Sequence, residues 1–241
     1  MSQLFDHRAQ ENALSRALQR PVERFLHQEA ATLLTERLKV VRHPPQKIVV
    51  LGDPFECMTP LIHEVFPHAP IARELTHGSE LIVDFMALHT IEAVPERMRA
   101  AHHHLAPRGL YLSVFLGGDT LAELRHALLE AELGITGGAQ ARIHPMIPLA
   151  TAMDLLRAAG LELPVADHHT LHARYTRLRN LARDLRDHAE TCTLSSRSRT
   201  FSKRDIFHLA EAMLKKQNTD QTFEITFDFI FLSGWRATHG I

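Results

Sequence analysis

"ELIVDFMALHTIEAVPERMRAAHHHLAPRGLYLSVFLGG", residues 80–118, contains a strand, a helix and a second strand in that order. Residues 80–88 are apolar apart from Glu80 and Asp84, as in a strand covered on both faces. "VPERMRAAHHHL" predicts a helix stopped by Pro107 and Gly109. "GLYLSVFLGG" predicts the next strand. Two apolar strands joined by a helix form a parallel crossover unit, so the fold class is α/β.

Working outward, residues 8–42 predict helix. Val22, Phe25, Leu26, Ala30, Leu33, Leu34, Leu38 and Val41 recur at three- and four-residue steps, with Pro21 in a first turn. Pro44 and Pro45 end that segment, and "KIVVL" follows as a strand. "TPLIHEVF" predicts a short helix with Thr59 as N-cap, and "IARELT" a short strand. Beyond residue 118, "DTLAELRHALLEAELG" predicts a helix with Asp119 or Thr120 as N-cap and Glu123 completing a capping box. "ATAMDLLRAAG" predicts a helix stopped at Gly160, and "LELPVAD" a strand region resuming at "TLHARY". Two helices follow, near 176–190 and 203–216, and "QTFEITFDFIFLSGW" closes as a strand. The expectation is a mostly parallel sheet with an antiparallel edge. Residues 1–45 form a helical segment packed on the core. Residues 46–241 form the α/β domain, with a helical insertion at about 176–217.

Of 241 residues, 45% are hydrophobic and 23% charged, which is globular composition. A net charge of −1 gives no broad attraction to nucleic acid or an anionic membrane. No apolar run reaches a membrane span and the N-terminus has no signal-like core, so a cytoplasmic protein is expected. Cys57 and Cys192 form no ligand pair, and the 18 histidines show no zinc spacing, so no metal is expected. "TLSSRSRTFSKR" predicts a solvated loop whose basic residues could bind phosphate or an acidic partner.

Several stretches carry a family resemblance: "LFDHRAQENALSRA", "FMALHTIEAVPERMRAAHHHLAPRGLYLSVFLGGDTLAELRHALLEAE", "GGAQARIHPMIPLATAMDLLRAAGLELPVAD", "RYTRLRNLARDLRDHAETCTLSSR" and "FEITFDFIFLSGW". Together they resemble the class I S-adenosylmethionine-dependent methyltransferases. The narrower resemblance is to the subgroup of the complex I assembly factor with a methyltransferase fold and its bacterial relatives. The malonyl-acyl-carrier-protein O-methyltransferases are more distant. The resemblance implies a Rossmann-like fold and an S-adenosylmethionine site.

In that family the loop after the first strand reads like "LDLGCGTG". Here it reads "VLGDPFE": Gly52 falls on the first glycine, Asp53 on the cysteine, Pro54 on the second glycine and Glu56 on the last. Val50 stands where an acidic residue is usual. Glycines admit positive φ and close approach of a ligand, whereas proline fixes φ and lacks a donor. Gly52 also lies 28 residues before Glu80, roughly half the family spacing, so the fold is shortened between the first and fourth strands of the family sheet. The cofactor-binding candidates are Gly52, Asp53, Glu74 and Glu80, with Glu74 the substitute for the acid that holds the ribose.

Asp84, Phe85 and His89 lie at or just beyond the C-terminal end of the strand at 80–88, where open α/β sheets bind ligands. Gly117, Gly118, Asp119 and Thr120 open a helix and could hold an anion, and Arg125 and Arg142 could bind a carboxylate or an acidic partner. These nine are the substrate-pocket candidates. Alternatively, Asp119 and Thr120 cap the helix, the two arginines form surface ion pairs and His89 is a structural hydrogen-bond donor. Trp235 is expected in the core.

No catalytic residue is assigned. Methyl transfer from a sulfonium needs alignment more than acid–base groups, so the damaged loop carries the functional question. The first expectation is a methyltransferase-like protein with impaired or lost S-adenosylmethionine binding. Such a protein acts as an assembly factor or scaffold on a protein partner or carrier protein. The alternative is an active methyltransferase on a carrier-protein thioester, a small acid or a protein side chain. A third, arginine hydroxylation, follows from the resemblance alone, because no 2-His-1-carboxylate spacing is present.

Overall fold

The computed structural model describes residues 3–198, 203–216 and 220–238. The elements run α1 (His7–Leu18), α2 (Phe25–Lys39), β1 (Ile48–Leu51), α3 (Thr59–Val65), β2 (Ile71–Ala72), β3 (Ser79–Phe85), α4 (Val94–His104), β4 (Leu105–Leu116), α5 (Ala122–Thr136), α6 (Leu149–Ala158), β5 (Glu162–Tyr175), α7 (Leu178–Asp187), α8 (Arg204–Lys215) and β6 (Phe223–Trp235). The strands form one six-stranded sheet in the order β2-β1-β3-β4-β6-β5. β1 lies parallel to β2 and β3, β3 parallel to β4, and β6 antiparallel to β4. The sheet is thus mostly parallel and Rossmann-like, with its antiparallel strand second from the edge. Between β1 and β3 there are only α3 and the two-residue β2, which is the expected shortening.

The chain divides into two compact units. The first is built from Arg24–Gly118, Ile147–His169 and the stretch from Phe229 onward. The second is built from the stretch up to Glu23, Asp119–Met146 and Thr170–Asp228.

In the first unit both faces of β1, β3 and the later part of β4 are covered, which is why β1 and β3 are apolar at consecutive positions, whereas the edge strand β5 is largely exposed. Val49, Ile82, Tyr111, Phe115, Ile230 and Leu232 cluster with Met98 and Ala101 of α4 and Leu156 of α6. Phe231 alternates with those β6 residues and so points to the other face, where the Arg37 guanidinium of α2 lies 3.7 Å from its ring centroid. α2 buries Leu26, Ala30, Leu34 and Leu38 from a single stripe.

The second unit is held by side chains reaching between helices and loops. Arg20 pairs with Asp187, Arg197 with Asp6, and Arg142 with the buried Glu132. The Leu178 N–H at the start of α7 donates to Glu211 of α8.

Several local expectations are corrected. The predicted helix at 8–42 is two helices, and Pro21 lies in the connection between them, before α2 begins at Phe25. α4 ends at His104 and β4 begins at once, so Pro107 and Gly109 fall within the strand. β5 is continuous, without the expected interruption. Trp235 is 37% exposed at the end of β6 and is no core residue.

Gly52 is fixed by its neighbours. Its φ is +80°, and a Cβ there would lie 2.5 Å from the backbone oxygen of Phe85 on the adjacent strand. Gly52→Ala should therefore cost at least ~2 kcal/mol from backbone conformation plus the clash. Urea denaturation of the purified variant checks this, and an unchanged midpoint would show that the β1 turn relaxes freely.

Candidate functional site

The β1 turn leads to Asp53, whose side chain is fully buried. Its carboxylate accepts the backbone N–H groups of Cys57 at 2.8 Å, Met58 at 3.2 Å and Thr59 at 2.9 Å, and the Thr59 hydroxyl at 2.8 Å. These are the donors at the start of α3, where an anionic ligand would otherwise be held. Thr59 is therefore not the cap: α3 begins at Thr59, and the capping oxygens come from six residues upstream. The intervening loop is also closed. Phe55 packs edge-on to His27 at 4.7 Å between ring centroids, and the Arg24 guanidinium lies 4.7 Å from the centre of the Phe55 ring. Arg73, just after β2, points its guanidinium at Asp53 (3.6 Å) and Glu56 (3.3 Å). Burial, and then the Asp53 charge, push the Cys57 thiol up to about 11, so it is no thiolate at neutral pH.

The four cofactor candidates are not brought to one place. Gly52 and Asp53 form the turn just described. Glu74 is exposed beyond β2, next to the inward-pointing Arg73. Glu80 sits at the opposite end of β3 from Phe85, where it accepts the Gln46 N–H at 2.6 Å. The parallel register sets Leu51 beside Asp84 and Ile48 beside Leu81, so Glu80 lies at the far end of the strands from Gly52.

The pocket candidates fall in both units. In the first, Asp84 is fully buried and bonded twice by Arg97 of α4, at 2.6 and 2.9 Å, with the Tyr111 hydroxyl at 3.5 Å. Burial pushes the Asp84 carboxyl up, and the Arg97 hydrogen bonds and charge pull against it. Burial likewise holds the Tyr111 hydroxyl well above its ordinary range. Phe85 is buried. His89 is buried too, and its Nδ1 lies 3.4 Å from the Leu116 N–H, which it accepts. That is a structural hydrogen bond in which Nδ1 accepts, which leaves the imidazole proton on Nε2. Gly117 bridges Ile147, and Gly118 lies against Pro148.

In the second unit Asp119 is exposed, while the Thr120 hydroxyl is paired with the backbone of Asp228, at 3.1 Å to its N–H and 3.3 Å to its oxygen. α5 starts at Ala122 after Leu121, whose φ is 58°, and no side chain caps it. The predicted capping box is not formed: Glu123 accepts from the N–H and hydroxyl of Thr226 instead. Arg125 donates to the Thr120 oxygen at 3.4 Å. Arg142 is bound to Glu132, whose pKa it lowers chiefly through that hydrogen bond, and lies 5.5 Å from the Phe207 ring centre.

Sequence reading missed Arg24, His27, Arg73 and Arg97. The only sequence signal for any of them is the spacing of Arg97 one turn into the helix after β3. Among the described residues, no group of three or more His, Cys, Asp or Glu side chains is placed to hold a metal. No helix among them is long and apolar enough to cross a membrane.

No family model matches the chain. It is 29% identical over 159 residues to the zebrafish (Danio rerio) protein named arginine-hydroxylase NDUFAF5, mitochondrial, covering 65% of this chain and 49% of that one. It is 29% identical over 160 residues to a malonyl-[acyl-carrier protein] O-methyltransferase of Xylella fastidiosa, covering 66% and 52%. The chain thus spans about half the length of these curated relatives. Among solved structures, the YcgJ protein from Bacillus subtilis superposes with a TM-score of 0.53 at 11% identity, over 89% of this chain and all of that one.

Three variants test the two buried carboxylates. Asp53→Ala should lose about 2–4 kcal/mol, since it leaves buried donors unpaired, and Asp53→Asn should lose less because the amide oxygen still accepts. The order of their denaturation midpoints checks this; equal midpoints would mean that water replaces the carboxylate. Arg97→Met should cost about 3–5 kcal/mol at neutral pH by leaving Asp84 buried and uncompensated. In that variant the folded state holds a proton that the unfolded chain releases. Its stability should therefore fall as pH rises from about 4, the unfolded carboxylate range, and recover toward acid pH. Denaturation at a series of pH values checks the sign.

Proposed function

We propose that this chain, a member of the class I methyltransferase superfamily, has lost the use of S-adenosylmethionine and acts by binding a protein, as an assembly factor or scaffold. One observation carries the reading: the Asp53 carboxylate takes the N–H groups of Cys57, Met58 and Thr59. A cofactor with a carboxylate of its own needs free donors and close backbone approach at such a loop. Here the donors are spent and the loop is closed by Phe55 against Arg24 and His27. Gly52 is retained, but what crowds its α-carbon is the neighbouring strand at Phe85 and Ala87. At the end of β2, where the ribose calls for an acid, Arg73 reaches back to the loop and Glu74 stands in solvent. These residues do not fit the cofactor.

The relatives named for arginine hydroxylation and for malonyl-carrier-protein methylation suggest the kind of partner: a protein subunit or a carrier protein. The test is calorimetric titration of the purified chain with S-adenosylmethionine and with S-adenosylhomocysteine, together with thermal denaturation. The expected result is no heat of binding and no rise in Tm at millimolar ligand. Micromolar binding of either compound would overturn the reading in favour of an active methyltransferase on a carrier-protein thioester, a small acid or a protein side chain.

A further inference from the structure

A cavity of about 870 Å³ lies wholly within the second unit, against α1, the end of α7 and residues 191–197. Five arginines line it: Arg8, Arg16, Arg20, Arg186 and Arg197. Asn12, Thr191 and Thr193 add neutral polar groups, and Asp6 is the one acidic residue among the described residues that line it. Arg8, Asn12, Arg16 and Arg20 are spaced four apart. Helical geometry aligns the first three on one side of α1, about 6 Å per step, and continues the line into the turn that follows.

Two of the charges are already balanced. Arg20 is paired with Asp187 at 2.5 Å and Arg197 with Asp6 at 2.9 Å. Asp6 is further engaged, since its other oxygen caps α1 through the Ala9 N–H at 3.0 Å. The side chains of Arg8, Arg16 and Arg186 make no hydrogen bond or ion pair with any of the described residues. Three guanidinium groups that line one cavity without a partner among the described residues repel each other. An anion placed among them reverses the sign of that interaction. Guanidinium is the cation suited to phosphate, since its fork donates two parallel hydrogen bonds to one phosphate group. The row along α1 is longer than one phosphate group.

We propose that this cavity binds a small molecule bearing a diphosphate or longer phosphate chain, held by Arg8, Arg16 and Arg186, with Asn12 and Thr191 as neutral donors; Thr193 is buried and engaged with His144. This site is independent of the β1 loop, and it stands whether or not S-adenosylmethionine binds.

The test is calorimetric titration of the full chain with pyrophosphate, tripolyphosphate, ADP and, as the uncharged control, adenosine. Expected are saturable binding of the phosphate compounds, none of adenosine, and weakening as salt is raised. Arg16→Gln with Arg186→Gln should weaken pyrophosphate at least about tenfold. Because neither side chain is paired, the double variant should keep or slightly raise the ligand-free Tm at low salt, which separates a binding defect from a folding one. ADP binding about as well as pyrophosphate supports recognition of the phosphate chain itself, and markedly tighter ADP binding identifies a nucleotide as the source. No saturable binding of pyrophosphate or tripolyphosphate at millimolar concentration overturns the proposal. So does binding that the double variant leaves unchanged, or binding of an acidic peptide or oligonucleotide without the small phosphates.

Discussion

The turn out of β1 depends on a single buried carboxylate. α3 has only seven residues, too few to be stable by its own hydrogen bonding, and its first N–H groups have no partner within the helix. Asp53 accepts the first of these, from Thr59, together with the N–H groups of Cys57 and Met58 just before the helix, and its own burial is tolerable only because these donors surround it. Each half of the arrangement needs the other. Gly52 then follows as a requirement, because the chain must turn with positive φ against β3 to bring Asp53 under the helix. Phe55, left at the outside of the turn, is covered by Arg24 and His27.

One strand over, the same principle appears with different chemistry. Asp84 lies beside Leu51 in the parallel register and is buried completely. Its charge is met by the fork of Arg97, with Tyr111 nearby. The C-terminal ends of β1 and β3 are where an open α/β sheet ordinarily receives a ligand. Here both ends finish in carboxylates satisfied by the protein itself. Rebuilding a ligand site would mean exposing one of these charges or finding it a new partner, and either change would cost part of the fold. The loop with a single glycine and the internal pairing of these acids therefore act together to close this end of the sheet.

How much of this could be read in the sequence depends on the range of the interaction. Strand and helix identities follow from local periodicity, and the chain from β3 to β4 was legible for that reason. The departure of the loop from the family pattern was legible too, as Pro54 and Glu56 standing where the resemblance sets glycines. The use of Asp53 was not, because its partners are backbone groups and leave no mark on residue type. The caps failed for the same reason: Thr59 and Thr120 are good capping residues by type. Thr59 instead donates to Asp53, and Thr120 is drawn to the backbone of Asp228, 108 positions away. Trp235 was expected in the core on the strength of its size, yet it lies at the end of β6, past the residues that α4 and α6 cover.

Net charge shows the opposite failure, in which a sum conceals an arrangement. With 27 basic and 28 acidic residues the chain has no long-range field, and the exclusion of nucleic acid and anionic membrane rests on that balance. The balance holds over the whole surface and says nothing about a cavity a few ångströms across. Arg8 and Arg186 are far apart in sequence and meet only because α1 packs near α7, while the acids that offset them in the total sit elsewhere or are already paired. A field confined to a pocket is screened beyond about 10 Å at ordinary salt, so it recruits no large polyanion from a distance. It acts on what enters, and what enters a space of this size is a small molecule. Near-neutral composition and a strongly cationic cavity are therefore compatible, and together they favour a compact phosphate compound over a nucleic acid as the occupant.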